Sequence, residues 1–222
     1  MIKRNTNKPI KVIPPTLEEE DIEITTHSLL EYLSNEETIS HLLFEKNSEI
    51  GIATSYKSIQ KCEFRGYTLS QYSFRSFQLS DIRFVNCDFS NISFAESSLH
   101  RIEFISCKLV GTNFSETTMN HVLFKECHAG YINLSMSKLS QVKFSGCRLE
   151  TGSLNNCSLS PIAFEHCNLQ GTEFWHTSLR GIDLRNNSIK GMMLNIGDLK
   201  GAIINSLQAM DLLPMLGVII ED

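Results

Sequence analysis

From residue 64 to residue 204 every fifth residue is apolar, and the phase does not slip across 29 positions. These are eleven Phe, fourteen Leu, two Ile, Met119 and Ala129, with Ile59 as the natural start of the series. Apolar residues make up 41% of the chain, so an unbroken run of this length is not a chance pattern. A fixed period of this kind marks a repeat architecture. Period five matches neither the 3.6-residue turn of a helix nor the two-residue alternation of a flat strand. A chain that makes a quarter turn every five residues points all of these side chains at one axis. Four such turns close a square coil of twenty residues.

The residues two before each centre show the same twenty-residue repeat independently. One column reads Cys62, Ile82, Ile102, Val122, Val142, Ile162, Ile182. The next reads Cys87, Cys107, Cys127, Cys147, Cys167, and a third reads Ser97, Thr117, Ser137, Cys157, Thr177. The fourth is mixed: Tyr72, Ile92, Thr112, Ile132, Gly152, Thr172, Met192. The centres sort likewise, with Phe64, Phe84, Phe104, Phe124, Phe144 and Phe164 on one face and Phe74, Phe94, Phe114 and Phe174 on the opposite one. Like thus stacks on like in successive coils, which is how a narrow solenoid fills its interior.

Units such as Cys87-Asp88-Phe89-Ser90-Asn91 and Thr112-Asn113-Phe114-Ser115-Glu116 resemble those of the pentapeptide repeat proteins. The resemblance implies an all-β fold, a right-handed quadrilateral β-helix. About seven coils spaced ~4.8 Å apart give a rod roughly 34 Å long. Residues 59–204 form this solenoid. Residues 1–58 are read as an N-terminal extension that covers the first coil, whose open edge would otherwise template aggregation. Within it Pro14-Pro15 and Glu18-Glu19-Glu20-Asp21 predict an extended, exposed lead-in, and Ser28 to Leu33 a short helix. Polar residues at the centre positions Glu49 and Thr54 place the start of the solenoid after them.

At the other end Ser206 is placed as the N-cap of a helix over 207–213, which Pro214 ends or kinks before Gly217. Residues 205–222 are read as a helix and strand that form a dimerisation module. The stretch from Asp198-Leu199-Lys200-Gly201-Ala202 through Gln208-Ala209 to Leu216-Gly217-Val218 resembles the C-terminal module of Qnr-type pentapeptide repeat proteins. That resemblance implies a cap on the rod and a symmetric homodimer. The interface assigned to it is Leu207, Met210, Leu213, Leu216, Val218, Ile219 and Ile220, because apolar residues at a chain end need burial and two-fold pairing is the commonest symmetry.

Catalytic and metal chemistry find no foothold. There is no G-x-S-x-G, phosphate-loop or dinucleotide-binding motif, and no histidine pair at metal-ligand spacing. Stacked cysteines point the same way, so a ladder suits neither a disulfide torsion nor a tetrahedral metal, and buried cysteine behaves as a small hydrophobe. The seven histidines fall off the centres and are expected at the surface. No enzyme activity and no cofactor are expected. Seven cysteines without C-x-x-C pairs, and no apolar signal segment, fit a cytoplasmic protein. No apolar run is long enough to span a membrane.

The net charge is −5, which does not suit direct nucleic-acid binding. It divides as −4 over 1–58, +2 over 59–204 and −3 over 205–222. Lys108, His128 and Arg148 form a basic column, and Glu96 and Glu116 stack as acids on another. Trp175 follows a centre and points outward, so Trp175, Glu96 and Glu116 are the candidate partner surface. Two functional readings stand. The Qnr resemblance implies a DNA mimic that binds type II topoisomerases, DNA gyrase or topoisomerase IV, and modulates quinolone susceptibility. The alternative is a rigid protein–protein interaction scaffold for an unrelated partner.

Overall fold

The computed structural model describes residues 10–51 and 53–217. Five strands of eight residues, Ser58–Arg65, Gln78–Val85, Ser98–Ile105, Thr118–Lys125 and Lys138–Ser145, stack in parallel. Their register is twenty residues throughout, so Phe64 pairs with Phe84, Phe84 with Phe104, Phe104 with Phe124 and Phe124 with Phe144. Each strand covers two walls of the square and turns the corner at Lys61, Asp81, Arg101, His121 or Gln141, where φ lies between 49 and 55°. That left-handed conformation is unfavourable for residues with a Cβ. Here the pairing on both sides of every corner enforces it. The other two walls are joined by single bridges, Asp88 to Lys108 to His128 to Arg148 on one and Ser93 to Asn113 to Asn133 to Ser153 on the other. The quadrilateral parallel β-solenoid expected from the period is the observed fold.

The interior is filled by side chains. The rings of Phe44, Phe64, Phe84, Phe104, Phe124, Phe144 and Phe164 form one stacked column with centroids 4.6–5.3 Å apart. Phe74, Phe94 and Phe114 form a second on the opposite wall. Edge-on contacts such as Phe104 to Phe114, at 5.8 Å, join the two columns across the axis. The coil spacing sets these stacking distances, and they fall where offset aromatic pairs are favourable.

The small inward positions have a second role beyond volume. Thr112 Oγ1 donates to the Phe89 carbonyl at 2.8 Å, Ser137 Oγ to the Phe114 carbonyl at 2.8 Å, and Thr177 Oγ1 to the Leu154 carbonyl at 2.6 Å. Cys127 and Cys147 donate through sulfur to the carbonyls of Phe104 and Phe124, both at 3.3 Å. Asn187 Nδ2 serves the Phe164 carbonyl at 2.9 Å. Each donor lies 23 residues after its acceptor. Ser, Thr, Cys and Asn interchange at these positions because each is small and carries a donor for a carbonyl that a corner leaves short of partners.

The solenoid starts earlier than residue 59. Thr38–Ser40, Leu42–Glu45, Ser48–Ile50 and Ala53–Ser55 are strands that pair with residues twenty further on, as in Phe44 with Phe64 and Glu49 with Leu69. Residues 38–58 therefore belong to the rod, and the boundary at 58/59 is corrected. Ile39 and Phe44 are buried centres in phase with the rest. The polar Glu49 reads as an end of the pattern but is a functioning centre. It is half-buried and faces helix α1, Leu29–Asn35, which closes this end of the coil. Glu49 accepts from the N–H groups of Leu29 at 2.9 Å and Leu30 at 3.2 Å, from Tyr72 Oη at 2.7 Å, and from Tyr67 Oη. A carboxylate there satisfies amides that the first turn of a helix cannot pair internally. A capping box between Ser28 and Glu31 completes the turn, and Leu29 and Leu33 are buried against the coil.

At the far end helix α2, Ser206–Leu212, begins one residue before the expected span: Asn205 is the N-cap and forms a capping box with Gln208. The α-helix ends at Leu212, just before Pro214, as expected. The chain tightens into a 3-10 turn over Leu213–Leu216 and stops at Gly217, where φ is 70°.

Candidate interaction surfaces

Helix α2 has two apolar sides. On the inner side Gln208 Nε2 donates to the carbonyls of Leu184 at 2.7 Å and Asn187 at 2.8 Å, while Leu212 is buried and Met215 packs against the core. On the outer side Leu207 is 80% exposed and Met210 53% exposed. Residues 207 and 210 are three apart and share one face of the helix. Leu213 is half-buried. Of the other residues assigned to a dimer interface, Leu216 lies in the 3-10 turn, and Val218, Ile219 and Ile220 lie outside the described residues.

The second predicted surface is dispersed. Glu96 and Glu116 occupy the same corner one coil apart and are both exposed. Glu96 is ion-paired with Arg75 and accepts from Ser76 Oγ at 3.2 Å, and the Arg75 guanidinium holds its carboxyl below the usual range. Trp175 is 37% exposed, and its main-chain N–H donates to Asn155 Oδ1 at 2.8 Å. It stands three coils beyond Glu116, about 14 Å along the axis. The structure does not bring the three residues into one patch.

Acids on the rod are answered from neighbouring positions. Glu103 pairs with Arg83 at 2.8 Å, Asp81 with Arg101 at 2.5 Å, Asp88 with Lys108 at 3.0 Å, Glu165 with Lys143 at 2.7 Å and Asp183 with Arg185 at 2.6 Å. The exposed pairs among them add little stability, whereas Asp81 and Glu103 are largely buried, and all of them break up the surface potential. The wall through residues 63, 83, 103 and 143 alternates in sign as Glu63, Arg83, Glu103, Lys143. Lys108, the first member of the predicted basic column, is engaged by Asp88.

The cysteine ladder is buried and unbridged, as are Cys62 and Cys157. Burial pushes the thiols of Cys62 and Cys157 up to about 12 and about 11, so they remain protonated and unreactive at neutral pH. Among the described residues no three His, Cys, Asp or Glu converge as a metal site. No helix of the described residues is long and apolar enough to cross a membrane.

A feature absent from the sequence reading is a strap. Residues 10–17 run up one corner of the rod instead of standing clear of it. Thr16 N–H donates to Asp81 Oδ1 at 2.8 Å, and Ile13 N–H donates to His121 Nδ1 at 3.2 Å. Pro15 is buried. Ile10 reaches the coil that contains Pro161 and lines an open cavity of about 590 Å³ with Leu159, Pro161, Phe164, His166 and Arg180 among others. Pro161 has no N–H for the ladder, and the strand breaks there into Ser158–Leu159 and Ile162–Glu165. Beneath the strap the buried Asp81 holds Arg101 through two bonds of 2.6 and 2.5 Å, and Arg101 Nη1 donates to His100 Nε2 at 2.7 Å. His100 and His121 therefore belong to a packed cluster, not to open surface. The signal for the strap is only the trio Ile10, Ile13 and Thr16, too short to stand out as a period.

Residues 97–174 match the family model for the pentapeptide repeat region. Among solved structures, a trypsin-treated variant of QnrB1, a plasmid-mediated fluoroquinolone resistance protein, is 20% identical with a TM-score of 0.43, covering 80% of this chain and 99% of that one. HetL, a pentapeptide repeat protein involved in heterocyst differentiation regulation from the cyanobacterium Nostoc sp. strain PCC 7120, is 14% identical with a TM-score of 0.30, covering 79% and 94%. Rfr23, a pentapeptide repeat protein from the cyanobacterium Cyanothece 51142, is 14% identical with a TM-score of 0.17, covering 79% and 97%. No curated protein matches the chain in sequence. These similarities are too low to carry a function across. With its unbroken five-residue period and twenty-residue parallel register, the chain is a solenoid that carries a pentapeptide repeat region, matched over residues 97–174.

Proposed function

We propose that this protein is a non-enzymatic, protein-binding rod that joins a second copy of itself through α2. The observation that carries the reading is the outward pair Leu207 and Met210 on a helix whose inner side is already fixed to the rod by Gln208 and Leu212. A short helix that is apolar on both sides needs a second surface to cover it. Joining two copies there gives a rod of double length with a filled core.

The finer proposal names the partner as a type II topoisomerase, DNA gyrase or topoisomerase IV, with an effect on quinolone susceptibility. It rests on the resemblance of residues 198–218 to the Qnr-type module. Coil-to-coil pairing of acids argues against a continuous phosphate-like stripe along the rod. Binding to a DNA groove would instead use the joined ends, since residues 205–222 carry three acids and no base per chain. An enzyme groove built to neutralise phosphates responds to such charge and loses it with salt.

The test is capture of gyrase and topoisomerase IV subunits on the immobilised protein, together with plasmid supercoiling in its presence. Salt-sensitive capture and inhibition are the expected results for a topoisomerase partner. Full supercoiling with excess protein, and no complex at low ionic strength, would remove that partner and leave the scaffold for another protein.

A further inference from the structure

The ladder of the rod opens above Pro161. On two walls that coil is bridged to the next one, Asn168 to Ser188 and Glu173 to Met193. There Leu169 N–H donates to the Ser188 carbonyl at 2.8 Å and Phe174 N–H to the Met193 carbonyl at 2.7 Å. The wall of Ile162–Glu165 differs. One edge of this strand pairs with residues 142–145. On the other edge, which faces residues 182–186, the main-chain N–H groups of Phe164 and His166 find no partner among the described residues. The equivalent donor one coil earlier, Gly146 N–H, bonds to the Glu165 carbonyl at 2.8 Å.

This gap is part of the cavity of about 590 Å³ that Ile10 lines together with Ile162, Phe164, His166, Ile182 and Asp183. It reaches toward the core: Ile162 and Ile182 are 6% and 7% exposed, whereas Ile102, Val122 and Val142 in the same column are at 0%. A buried strand edge calls for main-chain partners, and an open one pairs with whatever strand is offered. A strand in a packed sheet takes ~4.8 Å between neighbours and ~10 Å across, so the cavity holds about 12 Å of strand, roughly four residues. The strap delivers chain to this point. It climbs the corner from Thr16 at Asp81 through Ile13 at His121 to Ile10 at the coil of Pro161. The four residues before Ile10 are Thr6, Asn7, Lys8 and Pro9, and residues 1–9 lie outside the described residues.

We propose that residues 6–9 of this chain complete the open wall as an added strand whose carbonyls accept from the N–H groups of Phe164 and His166. Strand Ile162–Glu165 runs away from the Pro161 corner, and chain that leads along it into Ile10 runs toward that corner, so the added strand is antiparallel. An antiparallel strand on an otherwise parallel sheet is a common arrangement. Tethering to the strap places this segment at its site at an effective concentration in the millimolar range, about the level a free peptide would have to match. The added strand closes the rod directly beneath the coil on which α2 is anchored through Leu184 and Asn187, and it denies the edge to strands of other chains.

Amide exchange of the full chain, followed residue by residue by NMR, tests the proposal. Phe164 and His166 should exchange as slowly as Gly146 and Leu169, whose acceptors are in place. Asn7→Pro puts a residue that interior strands exclude into the segment. It should speed exchange at Phe164 and His166 by about tenfold or more and leave Gly146 and Leu169 unchanged. Asn7→Ser, which keeps the N–H, should retain the protection. Isotope-labelled Asn7→Pro mixed with excess unlabelled wild-type chain should stay unprotected at Phe164, because the segment acts within its own chain. Fast exchange at Phe164 and His166 in the wild-type chain would overturn the proposal, as would protection that survives Asn7→Pro. A loss of protection spread along the whole rod, or protection restored by the wild-type chain in the mixture, would also overturn it.

Discussion

The middle of the rod and its two ends solve the same problem by different means. Between residues 98 and 157 each coil repeats one set of bonds. An apolar residue fills the centre, on two of the four walls a Ser, Thr or Cys two residues earlier commonly serves a carbonyl 23 residues before it, and the next coil supplies the ladder. At the N-terminal end, among the described residues, only the short strand Glu23–Ile24 pairs below the first coil, along Leu42–Leu43. A carboxylate on Glu49 and the helix above it take over, with Tyr67 and Tyr72 completing the cluster. At the C-terminal end the side-chain amide of Gln208 does the same for the carbonyls of Leu184 and Asn187. The repeat is thus a device for satisfying backbone groups internally, and each end needs one long polar side chain where the repeat runs out. The C-terminal end also carries an outward apolar pair on its capping helix, Leu207 and Met210.

The largest expected effect lies in the middle. Phe104 is fully buried, with its ring 4.9 Å from those of both Phe84 and Phe124. Phe104→Ala should cost about 3–5 kcal/mol in urea unfolding. A loss of less than ~1 kcal/mol would show that the aromatic column does not hold the coils together. At the N-terminal end Glu49→Gln replaces a charged acceptor of several bonds with one neutral oxygen and should cost about 1.5–3 kcal/mol. Hydrogen-exchange protection should fall first at Leu29 and Leu30 and be retained between residues 98 and 157. Uniform loss along the rod would contradict a separate end.

The same cluster gives the ends a distinct response to alkali. Burial, and then the hydrogen bond to Glu49, push the phenols of Tyr67 and Tyr72 well above the ordinary tyrosine value. A group whose folded value is raised contributes stability below its unfolded value, about 10 for Tyr, and that contribution is lost as pH climbs toward the folded value. Ultraviolet titration should therefore leave two of the five tyrosines unionised until the cap opens, and Glu49→Gln should bring them down. Back in the middle, Thr112→Val keeps the shape but removes the donor to the Phe89 carbonyl and should cost about 1–2 kcal/mol. Thr112→Ser, which retains the hydroxyl, should recover most of that loss. No difference between Val and Ser would mean that these positions are chosen for volume alone.

The contrast also explains what could be read from the sequence. The fold was legible because a filled square coil needs apolar centres wherever another coil lies on both sides, and nothing else puts 29 of them five apart. The first coil was not, since Glu49 is polar for a reason that lies outside the coil, in the helix above it. Ile39 and Phe44 were in phase, but two polar centres after them hid the continuity. Cys, Ser and Thr could be assigned inward by size, whereas their shared donor role needs the carbonyl 23 residues earlier in view. Trp175, Glu96 and Glu116 were grouped by exposure, and their positions along the axis separate them. The strap lies outside the five-residue period because three of its residues, from Thr16 at Asp81 to Ile13 at His121, span two coils.

The smallest stability effect belongs to the outward face of α2. Leu207→Asp should change folding stability by no more than about 0.5 kcal/mol, as expected for an exposed position with no special role. Its effect on assembly should be large, because a charge placed in an apolar two-fold contact meets its own copy. Light scattering coupled to size exclusion tests the claim directly. The expected result is a mass of twice 25.1 kDa for the full chain and a monomer for Leu207→Asp with an unchanged circular dichroism spectrum. A full-length protein that is monomeric across the micromolar range, or a Leu207→Asp variant that stays dimeric, would contradict it.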